Sequence, residues 1–480
     1  MKISNFFSEL WQNKAVKNLL LPWAVVFLIL NLANTQDGGP NAVSRFLMMR
    51  AMSEEATFRI DDRIGATADW AKTPDGHYYS NKAPGPMLLG FPTFFVIDQI
   101  PRLWEHGFRD EHGQRHTPGY FQKTWTSFLN QMFPLLLLLA FILIWLRSQG
   151  VSKSSQVFFV LAVFFGSTVS LFYNNYFGHA LNAILQLGLL YSLLRHFYGW
   201  SGFFAAAALL SDYGFIMQIP AFLVVLALQL KQEEKIWTHL HRLAHGALIP
   251  AILWIWYHVA CYGSPFLVAN NFQNPDFQDT IQESVNLFGI FRIPNLPILE
   301  ELLVGQTRGL LFTQPWIFLL FFFAFYRMLA PSKSTSTQKT NPEIASHKKL
   351  AAIFCGLSLV GLLIMNMSYG GWHGGGTAGP RYISGIFLCF ALWVALELDS
   401  WLKAARSLLW ATLLVSIVFR GLVYGSTILG PNEPLWQWYA GEFLKTSKTP
   451  WLRASIYFLL LAGAALWQRS IWKKEDRTLG

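Results

Sequence analysis

Twelve apolar runs set the rhythm of the chain: 18–34, 127–146, 155–172, 179–195, 199–211, 214–230, 243–262, 309–327, 349–367, 382–398, 405–423 and 451–468. Most approach the roughly 20 residues that cross a bilayer. The pattern predicts an all-α polytopic membrane protein with about twelve transmembrane helices. As one helix, the stretch 199–230 would be roughly 48 Å long. It is read instead as two short helices turning at Asp212-Tyr213-Gly214. The polar stretches "RSQGVSK" (147–153), "KQEEKIWTHLHR" (231–242), "PSKSTSTQKTNPEIASHKK" (331–349) and "QRSIWKKEDR" (468–477) are basic or mixed. Basic loops stay on the cytoplasmic side. Twelve crossings from a cytoplasmic N-terminus put all four there.

That parity holds only if 84–101 does not cross. Pro84, Pro86 and Pro92 argue against a straight helix in "PGPMLLGFPTFFVIDQIP", so the segment is read as interfacial or re-entrant. The chain is then a single integral membrane domain, 1–480. Residues 35–126 form a long outer loop with surface helices and this interfacial segment, and 331–347 is a polar cytoplasmic linker. Within the outer loop "NAVSRFLMMRAMSEE" is helical by period, with Phe46, Met49 and Met52 or Ser53 on one face. It is expected to lie on the outer membrane surface. The first apolar run, preceded by Lys14 and Lys17, reads as a helix that stays rather than a cleaved signal.

Composition agrees with this class. The 480 residues are 53% hydrophobic and 13% charged, about half the charge of a soluble domain. The net charge of +10 reflects cytoplasmic loops rather than a nucleic-acid surface. Cys261, Cys355 and Cys389 have no metal spacing and read as buried packing residues.

Ionisable groups near a membrane point to function, and here they gather on the expected outer side. One cluster is "FRIDDRIGATADW…GHYYSNKAPG", with Asp61, Asp62, Asp69, His77, Tyr79 and Lys82. "YNNYFGHA" places His179 at a helix start, and "GQTRGLLFTQP" puts Arg308 before a span. "YGGWHGGGTAGPRY" joins glycines that let backbone N–H groups approach a ligand with Trp372, His373 and Arg381. Asn41 and Arg45 open the surface helix, and Asp37 precedes it. Lys82, Arg308 and Arg381 together suit a phosphate or pyrophosphate. Each also has a structural reading: a snorkelling lysine, arginines bonded to loop carbonyls, a capping Asp212.

On these motifs the chain resembles the GT-C fold membrane glycosyltransferases, nearest to the protein O-mannosyltransferase and lipid A aminoarabinose transferase group and its bacterial relatives. The resemblance runs from the first helix to about residue 400. It is carried by Gly76-His77-Tyr78-Tyr79-Ser80-Asn81-Lys82-Ala83-Pro84 as a G-x-x-Y-x-x-K-x-P stretch, and by "YFGHALNAIL", "LLSDYGF", "CYGSPF", "RGLLFTQP" and "WHGGGTAGPRY". It implies that Lys82 contacts a lipid phosphate. The family places an Asp-Glu pair after the first helix, where this chain has Asn41-Ala42. Either the base has moved to Asp61, Asp62, Asp37 or Asp69, with Asp61 favoured, or the protein is not a transferase of this kind.

The expected activity is transfer of a hexosyl or pentosyl group from a polyprenyl-phosphate sugar to a hydroxyl, with inversion. The acceptor is a glycan, a lipid or a protein. A carboxylate acts as base, and basic groups stabilise the leaving phosphate. Asn41, Arg45, His77, Tyr79, His179, Trp372 and His373 are expected to line the substrate site. No cofactor is certain; Asp61 and Asp62 could hold a divalent cation. The partners expected are the lipid-linked sugar, its acceptor and membrane lipids, without nucleic acid, at the outer face of a bacterial inner membrane. The rival classes are a lipid or polysaccharide transporter or flippase, and a non-catalytic lipid-binding relative. The flippase is disfavoured because neither a repeat nor midplane charge is visible.

Overall fold

The computed structural model describes residues 13–14, 16–33, 39–100, 120–231, 233–275, 293–329, 342–426, 434–444 and 448–479. Helices dominate. A π-helical turn, Val16–Leu20, leads into α1 (Leu21–Leu32). Next come α2 (Gly39–Glu55), a short hairpin of β1 (Trp70–Lys72) and β2 (Tyr78–Ser80), and α3 (Gly85–Asp98). Residues Tyr120–Ser127 and a π turn feed α4 (Phe133–Ser148), followed by α5 (Lys153–Phe164), α6 (Gly178–Leu194) and α7 (Tyr198–Ser211). A 3-10 turn, Tyr213–Gln218, opens α8 (Ile219–Leu230); α9 (Ile236–Tyr262), α10 (Leu296–Val304) and α11 (Pro315–Leu329) come next. Then follow α12 (Pro342–Met367), α13 (Phe387–Glu397) behind the 3-10 turn Arg381–Ile386, α14 (Lys403–Ser426), α15 (Leu435–Leu444) and α16 (Thr449–Leu479).

The molecule is an all-α membrane protein. Each of the twelve apolar runs overlaps a helix, though 155–172 is α-helical only as far as Phe164, and seven segments among the described residues are long and apolar enough to cross a bilayer. The remaining apolar helices, among them α1, α5, α6 and α11, are shorter.

Side-chain contacts sort the helix ends into two groups. At one end, the Ser152 hydroxyl donates to Asp399 at 2.6 Å. Glu233 lies 3.1 Å from His196 and 3.3 Å from His239. Arg327 pairs with Glu397 at 2.8 Å, and the Trp145 and His347 rings pack at 5.4 Å. These contacts join the loops 147–153, 195–197, 231–235 and 398–402, three of which carry basic residues, so this is called the basic end. At the other end His179 meets Asp212 at 2.9 Å, Tyr79 meets Tyr262, and Tyr369 meets Tyr382. The predicted break at Asp212 is present. Its backbone is extended, and its carboxylate accepts from Gly214 N at 3.0 Å. The chain reverses there, because the far end of α8 returns to the basic end, where Gln229 donates to the Leu193 carbonyl at 2.6 Å.

Three features differ from the sequence expectation or extend it. First, α2 does not present one apolar face to a surface. Ala42 through Ala51 are all buried, because the hairpin, α3 and the end of α9 cover its polar side as well. Its Met48, Met49 and Phe46 share a second core with Tyr79, Met87, Phe94, Tyr176 and Tyr257. Second, the hairpin went unread in the sequence. Its Thr73-Pro74-Asp75-Gly76 link carries a turn signal: proline presets φ, and Gly76 takes φ +91°, which favours glycine. Third, α3 runs as one continuous helix of 14 residues through Pro92, so the proline does not break it as the sequence suggested. Its start is wedged against α7: a Cβ on Gly85 would lie 2.3 Å from Ser211 Oγ. Of the expected linker 331–347, residues 331–341 lie outside the described residues, and the rest fold into the start of α12.

Candidate functional site

The hairpin register builds the site. Trp70 pairs with Ser80, so the next residues outward, Asp69 and Asn81, also meet, and Asn81 N donates to the Asp69 carbonyl. Lys82 is thereby delivered to Asp69, with Nζ 3.0 Å from the carboxylate. Helix α2 clamps the pair: Ser44 Oγ donates to the Asp69 carbonyl at 2.5 Å and lies 2.7 Å from Ser80 Oγ.

Arg45 follows Ser44 and is buried. It donates to the Asn41 carbonyl at 2.9 Å and to the Asn41 side chain. Its guanidinium lies against Gly178, where any Cβ would be 3.0 Å from Nη2. Arg381 comes from the other side of the bundle. Its Nη2 donates to Tyr382 Oη at 2.9 Å, and its guanidinium lies over the Tyr382 and Phe177 rings at 4.8 and 5.9 Å. Gly374, at φ +68°, lets its loop pass beside the Arg381 stem; a Cβ there would be 3.0 Å from Cγ and Nε. Buried Nε atoms of Arg45 and Arg381 have no hydrogen-bond partner.

The electrostatics follow from burial and crowding. Desolvation, with Arg45 and Arg381 close by, pushes Lys82 down to about 8 despite Asp69. Burial alone would raise the Asp69 carboxyl, but Lys82 first, then Arg381 and Arg45, hold it below its ordinary value. Arg45 is lowered chiefly by burial, against the pull of Asp69. The cluster therefore carries three cations, Arg45, Lys82 and Arg381, around Asp69, with Asp212 acting on Arg45 from beyond. Asp212 holds His179 Nδ1 at 2.9 Å, and the His179 ring stands edge-on to Tyr382 at 5.5 Å.

The other expected residues fall elsewhere. Asp61 is engaged at both oxygens, one 2.8 Å from His77 Nδ1 and one accepting from Tyr78 N at 2.6 Å. It ties the 3-10 turn Asp61–Ala66 to β2. Asp62 is exposed. Tyr79 packs on Tyr262 in the second core. Arg308 is a brace: its Nη1 donates to the carbonyls of His373, Gly375 (2.6 Å) and Thr377 (3.3 Å). It fixes the glycine loop that leads to Arg381. His373 is exposed, and Trp372 packs edge-on to it. Although His373 reaches solvent, partial desolvation of its ring, and then the charges of Arg308 and Arg381, lower its imidazole pKa. Asp37 lies outside the described residues.

Sequence reasoning missed Ser44, Ser80, Tyr369 and Tyr382. The turn signal at 73–76 would have revealed the hairpin and, through its register, the Asp69–Lys82 pair. Among the described residues no three His, Cys, Asp or Glu side chains gather as a metal site. All three cysteines are buried and free. No protein-family model matches the chain, and no curated protein matches it.

Proposed function

We propose that the protein is a glycosyltransferase that takes a sugar from a polyprenyl-phosphate donor at the outer face of a membrane. The observation that supports this most is the convergence of Arg45, Lys82 and Arg381 on the single carboxylate of Asp69, with two buried guanidinium Nε–H groups unpartnered. Such a cluster has surplus positive charge and free donors, and a phosphate supplies the matching charge and acceptors. In this reading all twelve helices cross, the basic end is cytoplasmic, and α3 skims the outer interface.

Donor binding then exchanges partners. Lys82 turns from Asp69 to the lipid phosphate, and Asp69 is released as a base. The acceptor hydroxyl gives its proton to Asp69, and its oxygen bonds to the anomeric carbon. The C–O bond to phosphate breaks, with its electron pair leaving on the phosphate. Arg45, Lys82 and Arg381 stabilise that charge as it builds. Arg308 acts through the loop it braces. The resemblance of the 76–84 stretch to GT-C transferases supports the same role for Lys82.

A second reading, a lipid-binding relative without catalysis, is favoured by Asn41, which cannot accept a proton. One experiment separates the two. Purified protein in nanodiscs is given undecaprenyl phosphate for binding, and a panel of undecaprenyl-phosphate hexoses and pentoses, with a cell-envelope extract as the source of acceptor hydroxyls, for release of undecaprenyl phosphate. The transferase reading expects release that falls at least about 100-fold in Lys82→Ala. Binding without release from any donor supports the second reading, and no binding at all removes both.

A further inference from the structure

We propose that the basic end carries a binding site for the headgroup of an anionic phospholipid, in a hollow between α7 and α9. The proposal stands independently of the transferase reading.

The hollow follows from how the two helices cross. A Cβ on Gly246 would lie 1.7 Å from the Gly199 carbonyl oxygen, and one on Gly202 would lie 1.9 Å from that of Leu243. The backbones touch, so no side chain fills the flank of the crossing. A space of about 480 Å³ remains, lined by Gly199, His241, Arg242, His245 and Gly246.

Its chemistry is cationic and unmatched. Arg242 is exposed, and among the described residues no carboxylate pairs with it. Glu233, earlier on the same stretch, is taken by His196 and His239. His241 and His245, one turn apart, pack ring on ring at 4.2 Å, and His245 Nδ1 lies 2.9 Å from the His241 carbonyl. A guanidinium fork beside imidazoles over a glycine floor suits a phosphate diester.

The surroundings favour a lipid over a free anion. One stripe of α9 continues from His241 and His245 through Leu248, Ile252 and Ile255, with Arg242, Gly246 and Ile249 alongside. Leu248, Ile249, Ile252 and Ile255 are all more than half exposed, as a face lying along acyl chains would be. Trp237 and Trp200 project beside the hollow at 83% and 60% exposure, at the level where aromatic side chains meet headgroups. The helix thus offers a cation at headgroup depth and a bare apolar face beyond it, the two halves of a phospholipid.

The test is native mass spectrometry of the full chain released from detergent containing either phosphatidylglycerol or phosphatidylcholine. Wild type should retain phosphatidylglycerol in preference. Arg242→Gln should lower that retention about fivefold, the effect of one basic residue at a membrane surface, and Arg242→Lys should largely restore it. Arg469→Gln, at the basic end but outside the hollow, should change nothing. Equal retention of both lipids overturns the proposal. So does an Arg469→Gln effect as large as that of Arg242→Gln, which would mean diffuse surface charge. A third overturning result is thermal stabilisation by inorganic phosphate alone without lipid retention, which would mean a plain anion site. If Arg242→Gln unfolds, His241→Gln reads the same loss.

Discussion

The Lys82 ammonium lies 3.0 Å from the Asp69 carboxylate, and both side chains are largely shielded, at 16% and 12% exposure. The pair is made by a hairpin register, not by closeness in sequence. Around it stand two guanidiniums, so the pair is embedded in excess positive charge.

That setting makes Lys82 an unusually weak base. Its pKa is pushed from 10.5 down to about 8 by burial and by Arg45 and Arg381. Between pH 8 and 10.5 the unfolded chain keeps a proton the folded chain has lost. As far as Lys82 is concerned, stability therefore rises with pH across that window, and the cost of burying the charge is fully present below it. Amine acylation of Lys82, followed by peptide mass spectrometry, should show a half-maximal rate near pH 8. Arg45→Gln should move the midpoint upward. A wild-type midpoint near 10 would contradict the crowding.

Asp69 and Asp61 should behave differently when neutralised. Asp69→Asn leaves a shielded ammonium without its counterion, a change worth about 3 kcal/mol where pairs are buried. Without Asp69, which holds the Lys82 pKa up, the ammonium sheds its proton below pH 8, so the loss should shrink as pH rises toward 8 and level off beyond it. Asp61 pairs with His77 at roughly one-third exposure, so Asp61→Asn should cost less than about 1 kcal/mol. Thermal unfolding in detergent at pH 7 and pH 9 measures both. Equal losses would mean that the hairpin, not the ion pair, dominates.

The glycine crossing of α7 and α9 gives a third outcome. A methyl at Gly202 or Gly246 would strike backbone oxygen at 1.9 or 1.7 Å, and backbone cannot rotate away as a side chain can. Gly202→Ala and Gly246→Ala should each cost about 1–3 kcal/mol through forced separation of the helices. Gly463, within α16, has nothing within 4 Å of its would-be Cβ. Gly463→Ala should be neutral or slightly stabilising, since alanine favours helix over glycine. Melting curves of the three variants decide the matter.

These contrasts show which features the sequence carried. The apolar runs gave the helices because length and hydrophobicity are local properties, and the reversal at Asp212 followed from a run too long for one helix. The site was legible only by residue type. Lys82, Arg45, Arg381 and His179 could be named, but which carboxylate faced Lys82 depended on the register of a hairpin whose strands are three residues each. Such strands are too short for a period-two pattern, and only the Pro-Asp-Gly turn marked them. Arg308 illustrates the converse. A basic residue before a span suits either a phosphate ligand or a bond to loop carbonyls; three of its bonds go to the carbonyls of a glycine loop 65 or more residues away, a destination no local pattern encodes.

The topology yields the last prediction. Contacts that join 147–153 to 399, and 196 to 233 and 239, put these loops at one end, while the 73–76 turn belongs to the hairpin at the other. If all twelve helices cross, exposed positions at the two ends face opposite compartments. Asp75 and Glu234 are both exposed, and the native Cys261, Cys355 and Cys389 are buried, so single introduced cysteines can be read against a quiet background. Asp75→Cys should react with a membrane-impermeant maleimide on intact cells, or on spheroplasts where an outer membrane blocks the reagent. Glu234→Cys should react only after lysis. Because α3 lies between the turn and every later helix, a crossing by α3 would return both cysteines to the same compartment. Labelling of both, or of neither, before lysis would show that α3 traverses the bilayer, and the cluster of Arg45, Lys82 and Arg381 would then need another explanation.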